Sequence, residues 1–246
     1  MNTAPNIVAI VQARMGSTRL PGKILLDLAG RSILERVMDR LQEVASLTQI
    51  VVATTSERQD DQLAEYCQAH NWLVFRGSEN DVLDRFYQTA RLTLADVIVR
   101  ITSDCPLIDP EIVQQLVQMY LQANDPLAYV SNVVPRRTYP RGLDAEVFGR
   151  NALEAAWQDD QNAAWREHVT PFIYRNPDRF HLHNLVNEVD YSTHRWTVDT
   201  PEDYALIKKI YEHYGHGRFR WRDVLALLDQ HPSWTALNVN VTQKSH

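Results

Sequence analysis

No aspartate or glutamate occurs before Asp27, although the 246-residue chain carries a formal net charge of −6. That acid-free stretch holds Arg14, Arg19 and Lys23, so the amino-terminal corner is positive against the general trend and suits an anion. Cysteine is scarce as well: Cys67 and Cys105 stand far apart, with no CxxC pair. This excludes a disulfide framework and a cysteine metal cluster. Cys105 adjoins an aspartate and could be considered a nucleophile, but small buried thiols are usually packing residues. Long apolar runs are missing: no window approaches the roughly eighteen residues that a membrane span needs. Residues 1–6 are too short for a signal peptide and lack its charged-then-apolar layout. We therefore expect a cytoplasmic chain without membrane insertion. The acidic balance argues against nucleic-acid binding, which wants a basic face.

With 44% apolar and 23% charged residues, the chain is that of an ordinary globular protein with ample material for a core. An apolar, β-branched run from Ile7 to Val11 has the composition of a buried strand. Similar runs recur at 50–54, 72–75 and 97–101. Between them lie helical patterns: Ile33 to Val44 behind Ser32, a segment around Leu63, Tyr66 and Cys67, and Val82 to Ala90 behind Ser78. This alternation predicts a parallel sheet flanked by helices. Each run ends in polar residues, namely Gln12, Thr54 with Thr55, Arg76, and Thr102 with Ser103. Open α/β sheets bind ligands beyond such carboxyl ends.

Further along, Asp109 should cap a helix carrying Ile112 to Tyr120. From about 126 to 148 the pattern loosens. We expect a short strand near 146–148, helices near 151–158 and 164–174, a strand near 181–189 and a last short strand at 195–198. Thr200-Pro201-Glu202-Asp203 then marks a strong helix start, and the final helix is placed at 221–229. No internal repeat or flexible linker is visible, so one compact domain with an inserted lobe is expected.

The loop after the first strand adds Gly16, Ser17 and Thr18 for close backbone approach and hydroxyl donors, and Pro21-Gly22 for a turn. These are the parts of a polyphosphate cradle. It is not a Walker A loop, because five residues separate Gly16 from Gly22 and Lys23 is followed by Ile24. The three-glycine dinucleotide fingerprint is absent too. Two aspartates each follow an apolar run directly: Asp104 in VRITSDCPLIDP and Asp199 in RWTVDTPEDY. Nucleotidyl transfer needs positive charge and usually a Mg²⁺ held by carboxylates, which makes both acids candidates.

IVAIVQARMGSTRLPGK at 7–23, followed in order by these two acidic motifs, resembles the sugar-acid cytidylyltransferases, among them the sialic-acid and deoxy-octulosonate (KDO) activating enzymes. The SpsF-like spore-coat-polysaccharide branch is the most similar. The resemblance implies a nucleotide-diphospho-sugar transferase fold, GT-A-like and Rossmann-like, with a mixed, mostly parallel sheet. It divides one domain, 1–246, into a nucleotide-binding part (about 5–125), an acceptor lobe (about 126–192) and a closing strand with C-terminal helices (about 193–246). It implies that Gln12, Ala13, Arg14, Gly16, Ser17, Arg19 and Lys23 wrap the triphosphate of CTP, with Arg14 and Lys23 catalytic. Asp104 and Asp199 would bind Mg²⁺ as catalytic metal ligands. Ala53, Thr54, Arg76 and Ser103 would lie near the base, ribose or phosphates, and Asp84 with Arg85 beside them, unless these two form an ordinary ion pair on a solvated helix face. Relatives usually carry glycine where this chain has Ser103.

GLDAEVF at 142–148 and REHVTPFIY at 166–174 match the SpsF-like branch, and Asp144, Glu146, Arg166, Glu167 and His168 are candidates for the acceptor pocket. Arg136 and Arg137 read as solvated, with a carboxylate on the acceptor as the alternative partner. His181 and His183 share a strand face, but no third ligand for zinc is evident. The implied reaction moves CMP from CTP to a hydroxyl of a nonulosonic or related sugar acid, releasing pyrophosphate for surface polysaccharide synthesis. A nucleotide-sugar glycosyltransferase and a catalytically silent nucleotide-binding subunit are the alternatives. Related enzymes are commonly homodimers.

Overall fold

The computed structural model describes residues 4–243. Strands β1 (Ile7–Gln12), β2 (Gln49–Thr55), β3 (Leu73–Gly77) and β4 (Val97–Thr102) alternate with helices α1 (Ile33–Gln42), α2 (Asp61–Ala69) and α3 (Val82–Leu92). Next come α4 (Pro110–Ala123), β5 (Ala128–Ser131), β6 (Glu146–Gly149), α5 (Arg150–Asp159), α6 (Ala163–His168), α7 (Pro171–Tyr174) and β7 (His181–Asn184). The chain closes with α8 (Pro201–Tyr214), α9 (Trp221–Gln230) and the single turn α10 (Pro232–Thr235).

The strands form one seven-stranded sheet in the order β3-β2-β1-β4-β6-β5-β7. β1 runs parallel to β2 and β4, and β2 to β3. β6 is antiparallel to both neighbours, and β5 is parallel to β7. This is the mixed, mostly parallel sheet that the resemblance implies. Both faces are covered, which is why β1 reads as a continuous apolar run. Val8 and Ile10 pack with α3, α5 and α7 on one face, whereas Ala9 and Val11 pack with α1, α4, α8 and α9 on the other.

After β3 the chain crosses back to the far side of β1, so β1 and β4 lie side by side with their onward connections diverging. Ligands of open α/β sheets bind in the crevice at such a switch point.

Five expectations need correction. β5 falls where the pattern loosens; four residues, all buried, are too few to show a period. Residues 195–198 join no strand of the sheet: Arg195 makes an isolated parallel bridge to Arg141, and Val198 N donates to Asp104 O at 2.8 Å. The expected helix at 164–174 breaks into α6 and α7, because Val169 takes φ +70° and Pro171 restarts the turn. The strand near 181–189 ends at Asn184, and α9 is followed by α10.

Candidate active site

The ladders of β1 continue one residue past the strand: Ala13 N donates to Ala53 O at 3.1 Å, and Ser103 N to Gln12 O at 3.0 Å. The chain then turns back on Met15, whose carbonyl accepts from Ser17 N at 2.8 Å and Gly22 N at 3.1 Å. Gly22 sits at φ +68°, a conformation that glycine adopts without strain. A one-turn 3-10 helix, Lys23–Leu25, follows. This closed loop carries Arg14, Arg19 and Lys23 to the β1–β4 crevice.

Lys23 is the centre of the site. Its ammonium lies 2.8 Å from Asp104 Oδ2 and 2.7 Å from Asp199 Oδ1. Arg19 reaches the second oxygen of Asp199 at 3.1 Å, and Arg195 reaches it at 2.8 Å. Asp199 comes here through backbone pairing rather than through a sheet strand: Val198 N and the Thr197 hydroxyl both donate to the Asp104 carbonyl. Asp203, fully buried, anchors the segment. It accepts from the backbone N–H of Asp199 and Thr200, from Arg195, and from Asn238.

Burial by itself would lower the Lys23 pKa, but the two carboxylates outweigh it and hold the ammonium above its ordinary 10.5. Burial pushes the Asp199 carboxyl upward; Lys23, then Arg19 and Arg195, reverse this and keep it below 3.8. Asp104 and Asp199 thus present two hard oxygen donors to one point where a cation already sits. Among the described residues no third His, Cys, Asp or Glu joins them to make a metal cluster.

The remaining residues named from the sequence fall into two groups. Gln12, Ala13, Arg14, Gly16, Ser17 and Ser103 line the same strand ends and loop as Lys23. Arg14 is half-exposed, with Glu79 3.7 Å away. Ala53 and Thr54 are fully buried behind the loop, and the Thr54 hydroxyl has no partner among the described residues. Arg76 is tied to its own neighbourhood, donating to Thr55 O and Glu57 O and pairing with Asp61 at 2.7 Å. Asp144 forms a bidentate pair with Arg137, which is therefore not solvated as its sequence setting suggests. Glu146 lies buried between Arg100, Tyr129 and Thr170. Arg166 pairs with Asp81 at 2.8 Å and donates to two carbonyls beside α5. Glu167 is exposed and His168 half-buried at the end of α6.

Asp84 and Arg85 do not pair. Asp84 accepts from the Trp157 indole, and Arg85 is buried, donating to Ser78 O. Burial first, and the charge of Arg14 next, push the Arg85 pKa down to about 10. Cys105 is buried and its thiol pKa is driven well above 9.0, chiefly by burial, so it is no nucleophile. His181 pairs with Asp125. The scaffold residues Arg195 and Asp203, and Asp60 beneath the loop, were not legible as site residues: Asp60 acts on Met15, 45 positions away, and Arg195 and Asp203 act on an acid that reaches the site only through the pairing of Val198 with Asp104.

A switch-point crevice, a cationic loop at its mouth and two acids facing that loop define a nucleotidyltransferase. The chain belongs to the cytidylyltransferase family, whose model matches residues 8–222. It is 34% identical to the spore coat polysaccharide biosynthesis protein SpsF of Bacillus subtilis over 220 residues, covering 85% of this chain and 88% of that protein. An uncharacterised protein of Methanocaldococcus jannaschii is 40% identical over 243 residues, 98% of this chain and 97% of its own length. The solved structure of a cytidylyltransferase from Leptospira borgpetersenii serovar Hardjo-bovis superposes with a TM-score of 0.90 at 34% identity, covering 98% of this chain and all of that one. Among the described residues no helix is long and apolar enough to cross a membrane.

Proposed function

We propose that this cytidylyltransferase moves CMP from CTP to a hydroxyl of a nonulosonic or related sugar acid, releasing pyrophosphate, in the making of a surface polysaccharide. The observation that carries this reading is the meeting of Lys23 with Asp104 and Asp199 across the β1–β4 crevice. In-line attack on the α-phosphorus requires charge neutralisation on the phosphates and on departing pyrophosphate. Arg14, Arg19 and Lys23 supply it from a loop already folded for the purpose. Holding the acceptor oxygen and α-phosphorus together accounts for the rest, so no covalent enzyme intermediate is required.

The donor set suits Mg²⁺, which takes one or two carboxylates and completes its shell with water and substrate phosphates. Asp104 and Asp199 would hold it, and bound there it would offset charge on the phosphates. Once the triphosphate enters, Lys23 is free to turn from the carboxylates to a phosphate oxygen. Asp144, Glu146, Arg166, Glu167 and His168 remain the acceptor-lobe candidates. Because the first, second and third of the structurally tied groups (Asp144, Glu146 and Arg166) already bond to protein partners, their part is to shape the pocket. The SpsF name supports the polysaccharide setting and the sugar-acid resemblance the acceptor class, and on that resemblance we also propose a cytoplasmic location and a homodimer.

The test is pyrophosphate release from CTP, UTP, GTP and ATP across a panel of sugar acids. Release restricted to CTP plus a sugar acid is expected. Binding of CTP without turnover on any sugar acid would point to a silent subunit and sink the proposal.

A further inference from the structure

Met15 is the hub of the loop. Its carbonyl accepts two loop amides, those of Ser17 and Gly22, so its peptide plane orients Arg14, Gly16, Ser17 and Gly22 together. The Met15 N–H is in turn held by a side chain from elsewhere: Asp60 Oδ1 accepts it at 2.6 Å. Asp60 is fully buried, and its other oxygen accepts from the Thr55 hydroxyl at the end of β2. That hydroxyl accepts from Glu57 N at 3.2 Å, and Asp60 N donates to Glu57 O at 2.9 Å, which locks the carboxylate in place. The neighbouring Gln59 side chain backs the loop, 3.2 Å from where a β-carbon on Gly16 would lie.

Burying a carboxylate behind a loop that receives an anion is unfavourable unless it does something a neutral group cannot. A charged acceptor makes the shorter and stronger bond to a backbone N–H. Buried Arg85 is near enough for its charge to interact with that of Asp60.

We propose that Asp60 is the positioning residue of the triphosphate loop. Through Met15 it sets the backbone and cationic groups that receive the β- and γ-phosphates, and so sets the preference for the nucleoside triphosphate over the monophosphate. The inference rests on the reading that this loop receives CTP. Asp60 itself touches no substrate.

Calorimetric titration of CTP and of CMP, with magnesium chloride present, tests this on wild-type protein, Asp60→Ala and Asp60→Asn. Asp60→Ala should weaken CTP by about tenfold or more and leave CMP within about twofold of wild type. Asp60→Asn, whose neutral amide oxygen still accepts from Met15 but more weakly, should bind CTP between the alanine variant and wild type. Equal losses for CTP and CMP mean a merely structural residue and overturn the inference, as does unchanged CTP binding by Asp60→Ala. If Asp60→Ala yields no folded protein, Asp60→Ser carries the same expectation. Wild-type protein that does not bind CTP overturns the reading of the loop instead.

Discussion

Replacing Lys23 with methionine removes the ammonium and keeps most of the aliphatic stem, and the structure dictates what is left behind. Asp199 retains Arg195 at 2.8 Å and Arg19 at 3.1 Å, whereas Asp104 has no other ion pair among the described residues. Breaking a well-buried pair costs about 3–5 kcal/mol. The Asp104 side chain is 25% exposed and that of Asp199 16%, so water recovers part of this. A net loss of about 2 kcal/mol is expected, which for a chain of this size lowers Tm by roughly 4–8 °C.

The pH dependence separates charge from packing. Lys23 has its pKa raised, so its contribution is complete below 10.5 and fades as pH climbs through the higher native value. Asp199 has its pKa depressed, so its contribution is complete above 3.8 and fades as acid reaches the lower native value. The Tm gap between wild type and Lys23→Met should therefore be full from about pH 5 to 9 and close towards both extremes. Millimolar Mg²⁺ should restore part of the loss in the variant, whose two carboxylates then lack their shared cation. Scanning fluorimetry across pH, with and without Mg²⁺, measures all of this. A gap of constant size at every pH would assign the loss to packing and refute the electrostatic argument.

Asp104→Asn preserves volume and removes the charge; pyrophosphate release from CTP and an accepted sugar acid should fall at least about a hundredfold with the fold intact. Near-normal turnover would take Asp104 out of the site. Gly142→Ala should cost about 3 kcal/mol or more, or prevent folding, because φ is +104° and the new β-carbon would lie 2.6 Å from Thr197 N and the Trp196 carbonyl carbon. A wild-type urea midpoint would contradict that. Cys67 and Cys105 are buried, with burial pushing the former up to about 12 and the latter well above 9.0. Iodoacetamide at pH 8 should label the native protein at least about a hundredfold more slowly than the urea-unfolded chain. Fast native labelling by mass spectrometry would show the thiols to be accessible.

The βα alternation up to α4 was legible because each element is long enough to repeat its period, and Ser32 adds a recognisable cap at the start of α1. Asp109 and Thr200 both cap as their sequences suggest, Thr200 in a reciprocal box with Asp203. Residues 126–190 were harder to read. Their strands are four residues long, and the backbone reversal at Val169 has no composition to announce it.

Local pattern alone therefore determined the first strand, its cationic loop and the two acids, since strand period, turn residues and charge bias act within a few residues of chain. Only the tertiary structure decided that Lys23 joins Asp104 to Asp199, that Arg195 and Asp203 hold the second acid, and that Asp60 fixes Met15. The reason is physical: the first and third are hydrogen bonds between residues far apart in sequence, and the second, local in itself, reaches Lys23 only because Val198 N pairs with the Asp104 carbonyl; such long-range bonds exist only after the sheet and its crossovers have closed the intervening loops.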